Sequence, residues 1–436
     1  MEWQIVVFGM FTALLVIMFT GVPISFSFML VATVMMYFMQ GKFGLMQLVL
    51  GMYDQLAQYS LTPIPFFMIM GEVFFQSGLV SRTLNSLGKF VKKIPGRLSI
   101  ITLLGGGIFA ALSGSAVANT AMFGSLMLPD MLKRGYNKEL VCGSIMASGA
   151  LAMVIPPSSI AVLLGSIANI SVGQILIGAI IPGTLLIALY GSYIIFVSVK
   201  NPHYAPAEKD ELEKATAQEK LKSALTDLVP LGAIFIVVMG VIYTGIGTPT
   251  EAAALGALGA YILTIFYGEF SWKLVRKTLF DSLKMSSMIL IIIAGSAGFS
   301  QILALTGASR AAVTAILGFS VSPTFLLWSM LIIVIILGFF IEQTAIMMIT
   351  LPMMMPIVIT LGANQVWFAV LYLICLQIGQ LTPPVGLALF TLKGVAPPEI
   401  TMNHVYRGAI PFVILNLVAL VILYFIPALT TWLPGA

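Results

Sequence analysis

Two pairs of short stretches combine oxygen-bearing side chains with helix-breaking residues inside runs that are otherwise apolar. The first pairs Ser113, Gly114 and Ser115 with Ala152 to Ser159, where Pro156 and Pro157 precede Ser158 and Ser159. The second pairs Gly338 to Thr344 (GFFIEQT) with Gln377 to Pro384 (QIGQLTPP). Hydroxyls and unwound carbonyls are the oxygen donors that a small alkali cation requires. Half-helix N-termini, which carry partial positive charge, suit an anionic solute. In hydrocarbon an unpaired backbone group costs several kcal/mol, so irregular backbone persists only inside protein or beside a polar cavity. A proline kink with small residues that permit close helix packing is the bland explanation of a single break. Paired breaks point instead to a site for an ion or polar solute.

Within these stretches Thr344 and Thr382 are ligand candidates because a hydroxyl coordinates without needing charge. Glu342 is a carboxylate inside a hydrophobic run, which is expensive and usually functional. It could be an ion ligand, a proton carrier or a paired structural residue. Asn119 and Thr120 could hydrogen-bond a solute or, equally, a neighbouring helix. Gly114, Ser158 and Gln343, beside the breaks, complete the candidate solute-contacting set.

The surrounding elements must be membrane helices. Of 436 residues, 59% are hydrophobic and 8% charged, against about 25% charged in a soluble domain. A span needs roughly 20 apolar residues, so the chain has room for about ten to twelve membrane segments. The expected fold is an all-α polytopic membrane protein. Spans are expected from Gln4 to Phe19, Ile24 to Met39 and Thr62 to Val80, followed by a basic amphipathic stretch from Ser81 to Arg97. Lys200 to Lys222, with five Lys against five Asp or Glu, is the one strongly polar segment and the natural boundary between halves. Beyond it the expected spans include Leu225 to Tyr243, Ala252 to Tyr267 and Met285 to Leu305, then a short arm from Gly307 to Ser322.

The halves resemble each other. Thr20-Gly21 matches Thr244-Gly245, Pro129 matches Pro356, Pro156-Pro157 matches Pro383-Pro384, and Gly178-Ala179-Ile180 matches Gly408-Ala409-Ile410. The separations lie between 224 and 230 residues, which makes an internal repeat. Basic residues flank the run from Leu98 to Met131 on both sides, five before and three after. The positive-inside rule places both flanks in the cytoplasm, so this run is expected to be a re-entrant hairpin with Ser113 to Ser115 at its tip. The nearly uncharged flanks of its counterpart imply entry from the opposite face. The expected organisation is a first inverted repeat over 1–199, with a hairpin at about 98–131 and a broken helix at 140–170. A cytoplasmic linker at 200–224 follows. The second repeat covers 225–436, with a hairpin at about 325–359 and a broken helix at 366–391. Both termini then lie outside. Inverted repeats with paired broken segments are the mark of a secondary transporter with a midplane site.

Other classes fail on residue type. An intramembrane serine protease needs a histidine at membrane depth, whereas His203 and His404 lie in polar connections. The aspartates sit near span ends or in loops, so an aspartyl dyad fails as well. No Gly-rich loop with Lys suggests nucleotide hydrolysis. Cys142 and Cys375 lie far apart in apolar runs and suggest neither disulfide nor metal. The chain reads as a non-enzyme that needs no cofactor.

SGSAVANTAM, the basic KRGY loop, VIPPSS and QIGQLTPPVG together resemble the large membrane subunit of tripartite ATP-independent periplasmic (TRAP) transporters, over essentially the whole chain. The resemblance implies an elevator-type, sodium-driven importer of an organic acid, such as a dicarboxylate, sialic acid or related carboxylate, in the bacterial inner membrane. It also implies two partners, a small membrane subunit of about four helices and a periplasmic substrate-binding protein. Carried over by motif, the first sodium site would use Ser113, Ser115, Ala152, Ile155 and Pro157. Ala152 stands where the family more often has Gly. The second would use Gly338, Thr344, Gln377, Gly379 and Thr382, while Glu342 stands where the family often has Asp. A single-component sodium/anion symporter of the same superfamily is the nearest alternative.

Overall fold

In a computed structural model of the chain, residues 3–91, 94–113, 115–206, 216–307, 311 and 322–435 are described, and among them all regular structure is helical. Gly114 and most of the arm expected from Gly307 to Ser322 lie outside them. Helices α1 (Trp3–Phe19), α2 (Ile24–Leu56), α3 (Pro63–Gln76) and α4 (Leu79–Phe90) lead to α5 (Arg97–Ser113) and α6 (Ala116–Lys133). The first proline pair separates α7 (Lys138–Ala150) from α8 (Ser159–Ala168), and α9 (Val172–Gly178) and α10 (Ile180–Lys200) end the first half. The polar linker holds the short α11 (Ala217–Ser223), followed by α12 (Val229–Thr244), α13 (Pro249–Phe266) and α14 (Trp272–Leu305). The chain closes with α15 (Pro323–Gly338), α16 (Gln343–Thr360), α17 (Gln365–Leu381), α18 (Leu387–Val395), α19 (Met402–Phe425) and α20 (Ala428–Thr431).

Among the described residues seven helices are long and apolar enough to cross a membrane, or eight if the bent α3–α4 unit, from Tyr59 to Phe90, counts as one. That unit turns by 70°, and Gly78 supplies the left-handed residue at the corner (φ 75°). Others are too short for a full crossing. Helix α8 has 10 residues, about 15 Å of rise against a hydrocarbon core of about 30 Å.

The expected span from Ile24 to Met39 ends at a kink, where Gly41 leaves helical geometry (φ 63°, ψ −140°), and a second helical stretch follows to Leu56. One expected span was too short. Helix α14 begins at Trp272 instead of Met285. Lys273, Arg276 and Lys277 end the apolar run but not the helix, and Ser271 caps it by accepting from the Leu274 amide at 3.1 Å.

The helices pack in two groups. In one, α2 lies along α14, α3 against α13 and α14, and α12 against α13. In the other, α5 and α6 pack on α7, α7 on α19, and α15 on α17. They meet where α3 touches α5 and α8. Helices α5 and α6 run back along each other. The Leu98 amide donates to the Tyr136 hydroxyl (3.3 Å), and Asn119 near the start of α6 reaches the Gly106 carbonyl (3.0 Å).

Local geometry recurs along the chain. Helices α6 and α16 differ by 227 residues at both ends (343 − 116 and 360 − 133). Gly135 (φ 79°) and Gly362 (φ 65°) take the same left-handed turn. Two residues later Asn137 and Asn364 cap α7 and α17 through their side-chain oxygens. Pro156-Pro157 and Pro383-Pro384 are both joined by cis bonds.

Candidate functional site

The site is built where each hairpin turn meets a broken helix. At the first turn Ser115 leaves helical geometry (φ −121°, ψ 109°), and its hydroxyl accepts from the Ala118 amide at 3.3 Å. A hydroxyl here supplies an acceptor for one of the four N-terminal amides that no helix can pair. Asn119, buried, donates to the carbonyls of Gly106 (3.0 Å) and Ser148 (3.3 Å), tying α6 to α5 and α7. Its Oδ1 and the Thr120 hydroxyl are buried with no protein partner. Gly149 accommodates Thr120 so closely that any Cβ there would collide with the hydroxyl.

Beyond α7 the chain makes a 3-10 turn, Leu151–Met153, that touches α5 and α6. It then runs through the proline pair to Ser158, whose hydroxyl donates to the Met153 carbonyl (3.1 Å) and accepts from the Ala161 amide (3.3 Å). Ala152, Pro157 and Ser158 are buried and Ile155 is partly so. Ser113 is the last residue of α5.

The second turn is held differently. Glu342 caps α16, its carboxylate accepting from the Thr344 amide (2.8 Å), the Ala345 amide (3.4 Å) and the Thr344 hydroxyl (3.0 Å). Gln380 Nε2 donates to Gln343 Oε1 at 2.6 Å, and the Gly386 amide donates to the Phe339 carbonyl at 3.1 Å. Thr382, the cap of α17, turns its hydroxyl onto the Ile378 carbonyl (2.6 Å). Gln377 donates to the Tyr190 hydroxyl at 2.9 Å, while its own Oε1 is buried without a partner. Gly386 itself has φ 46°. A Cβ there would sit 2.8 Å from the Gln380 carbonyl oxygen and 2.9 Å from that of Thr382. The Leu389 Cδ1 methyl is as near, at 2.8 Å, so two carbonyl oxygens and a methyl crowd this glycine beside the second break and only glycine fits.

The two breaks adjoin each other. Helix α17 touches the Leu151–Met153 turn, and α8 packs on α16. The sequence-derived residues thus gather into two neighbouring clusters, with Gly114 outside the described residues. Three participants carried no assigned role, namely Gly386, Gln380 and Glu72. Glu72, on α3, lines a cavity with Met68, Phe109, Ser115, Asn119 and Met122, and is the only carboxylate among the lining residues. Gln76 Nε2 bridges it to Asp281, at 2.8 Å and 2.7 Å. The rule that singled out Glu342, a carboxylate in an apolar run, applies equally to Glu72.

Among the described residues the chain is all-helical, and its apolar spans make it a polytopic membrane protein. The fold resembles that of the Alcanivorax borkumensis YdaH transporter (TM-score 0.63, 14% identity, 89% of both chains). It also resembles Neisseria gonorrhoeae MtrF, of a class of antimetabolite efflux pumps (TM-score 0.60, 14% identity, 89% and 85% of the chains). At that identity the likeness is one of fold alone. The family is settled by sequence: the model for the DctM component of tripartite ATP-independent periplasmic transporters matches residues 11–429, and the chain belongs to that family. Relatives include the C4-dicarboxylate TRAP transporter large permease proteins DctM of Pseudomonas aeruginosa (31% identity, 89% of both chains) and Vibrio cholerae (30%, 98% and 96%). The Vibrio cholerae sialic acid TRAP transporter large permease protein SiaM is 27% identical over 96% of both chains.

Proposed function

We propose that this chain is the large permease of a sodium-driven, three-part importer of an organic acid in the bacterial inner membrane, with both termini on the periplasmic side. The observation that carries this reading is that both proline breaks adjoin a hairpin turn and each other, with the Gln380 and Thr382 carbonyls facing Gly386 beside the turn that Glu342 caps. In this reading one sodium ion sits at each break. The first is held around Ser113, Ser115, Ala152, Ile155 and Pro157, the second around Gly338, Thr344, Gln377, Gly379 and Thr382. The N-termini of α6 and α8 face the acid's carboxylate, with Gly114, Asn119, Thr120, Ser158, Glu342 and Gln343 around it.

The 227-residue recurrence supports two inverted repeats. The split into two helix groups supports an elevator motion, in which the group holding both breaks slides against α2, α3 and α12–α14. A small membrane subunit and a periplasmic binding protein complete the importer, and the relatives' names favour a C4-dicarboxylate as the acid.

The test is reconstitution with a small membrane subunit and a periplasmic binding protein of the same family. An inward sodium gradient is imposed and uptake of labelled C4-dicarboxylates and sialic acid is followed. Uptake that needs the gradient and both partners is expected. Uptake by the chain alone would instead favour a single-component symporter.

A further inference from the structure

A second cavity, of about 420 Å³, lies between α4, α5, α10 and α12. Leu87, Leu104, Ile155, Ile187, Leu231 and Phe235 are among its lining residues, and its only hydroxyls are those of Thr83 and Thr184. Both are spent on their own helices, Thr83 on the Leu79 carbonyl and Thr184 on that of Ile181, each at 2.8 Å. Water held here would find almost no partners, and apolar cavities of this kind stay dry. Among the described residues no charged one lines the cavity, but at one end its α4 lining is flanked by Arg82 and Lys89, with Lys220, Lys222 and Glu219 on the adjoining α11 and Asp227 before α12, so that four cations face two carboxylates there. Arg82 Nε pairs with Asp227 Oδ1 at 2.6 Å, and Lys89 Nζ donates to the Ser223 hydroxyl at 2.5 Å. From that end the α12 lining, Leu228 to Phe235, extends about 10 Å along the helix, away from the charges.

A cationic rim above a dry apolar slot is the complement of an anionic lipid. We infer that one acyl chain of an anionic phospholipid, from the leaflet in which α4 lies, fills this cavity. Its head group sits on the Arg82–Lys89 rim. The chain would lie between the two helix groups and against Ile155, at the first break, so that the break is sealed by lipid on the side away from the solute. This requires only that the protein sits in a bilayer, whatever it carries.

The test uses the full chain in phosphatidylcholine vesicles doped with phosphatidylglycerol bearing a diazirine on one acyl chain. After irradiation, labelled peptides are mapped by mass spectrometry. Label is expected on the segments holding Leu104 and Ile108 and on those holding Leu231 and Phe235. Gly232 lines the cavity, and a Cβ there meets nothing within 4 Å, so Gly232→Phe should fill the space and reduce cavity labelling to background. Gly240→Phe, two turns along the same helix and equally unobstructed, should leave labelling unchanged. Absence of cavity label in the wild-type protein would overturn the assignment whatever the variants do. So would equal labelling by a diazirine phosphatidylcholine, or full labelling of a folded Gly232→Phe protein.

Discussion

Gly338 and Gly379 meet backbone to backbone. A Cβ built on Gly379 would stand 2.5 Å from the Gly338 Cα, and one built on Gly338 would stand 2.7 Å from the Gly379 Cα. No rotamer can relieve such a contact, because the obstructing atoms are main chain. The second hairpin and the second broken helix are therefore held in register at the depth where both lose helical form. Gly379→Ala should push α15 from α17 at a cost of about 1–3 kcal/mol, typical of overpacking. Uptake in proteoliposomes should fall steeply at normal membrane expression. Gly394→Ala, where a Cβ meets nothing within 4 Å, should behave as wild type. Full uptake by Gly379→Ala would mean that this contact does not position the site.

Ser115 and Glu342, 227 residues apart, each cap the second helix of a hairpin. Glu342 therefore has a structural task that a neutral residue could perform. Glu342→Ser should keep most uptake, since serine is among the best caps, whereas Glu342→Ala should lose about 1 kcal/mol of local stability. Uptake and thermal stability measured on both variants separate the cases. Loss of uptake in a stable Glu342→Ser protein would show that the charge itself is used.

The Gln343–Gln380 bond is buried, so removing one partner strands the other at a cost of about 1–3 kcal/mol. Gln380→Leu should lower the unfolding temperature in detergent and weaken uptake. Adding Gln343→Leu should restore part of the stability, as removing both polar groups relieves the penalty. A strictly additive double variant would show that the two side chains do not interact.

The places where helices stop were legible in the sequence, because glycine and paired prolines interrupt apolar runs for local reasons. Helix lengths were less so. Gly41 does break α2, but the basic residues after Ser271 look like an end that α14 runs through. The partners of buried polar groups were not legible at all. Gln377 finds Tyr190 across 187 residues and Gln76 finds Asp281 across 205, pairings that no local pattern encodes. Gly386 stood in plain view within QIGQLTPPVG, but its meaning depends on two carbonyls that face it only after folding.

If each break holds its own sodium ion, the sodium concentration giving half-maximal uptake in the reconstituted complex reports both sites. Thr382→Ala removes a hydroxyl at the second break, and Ser115→Ala removes one at the first turn. A lost ligand worth about 1.4 kcal/mol weakens its site about tenfold, so each variant should require more sodium. Ser329→Ala, which removes an exposed hydroxyl bonded only to the Phe325 carbonyl, should not. Wild-type sodium dependence in both Thr382→Ala and Ser115→Ala, with the same binding protein present, would contradict the two-site account.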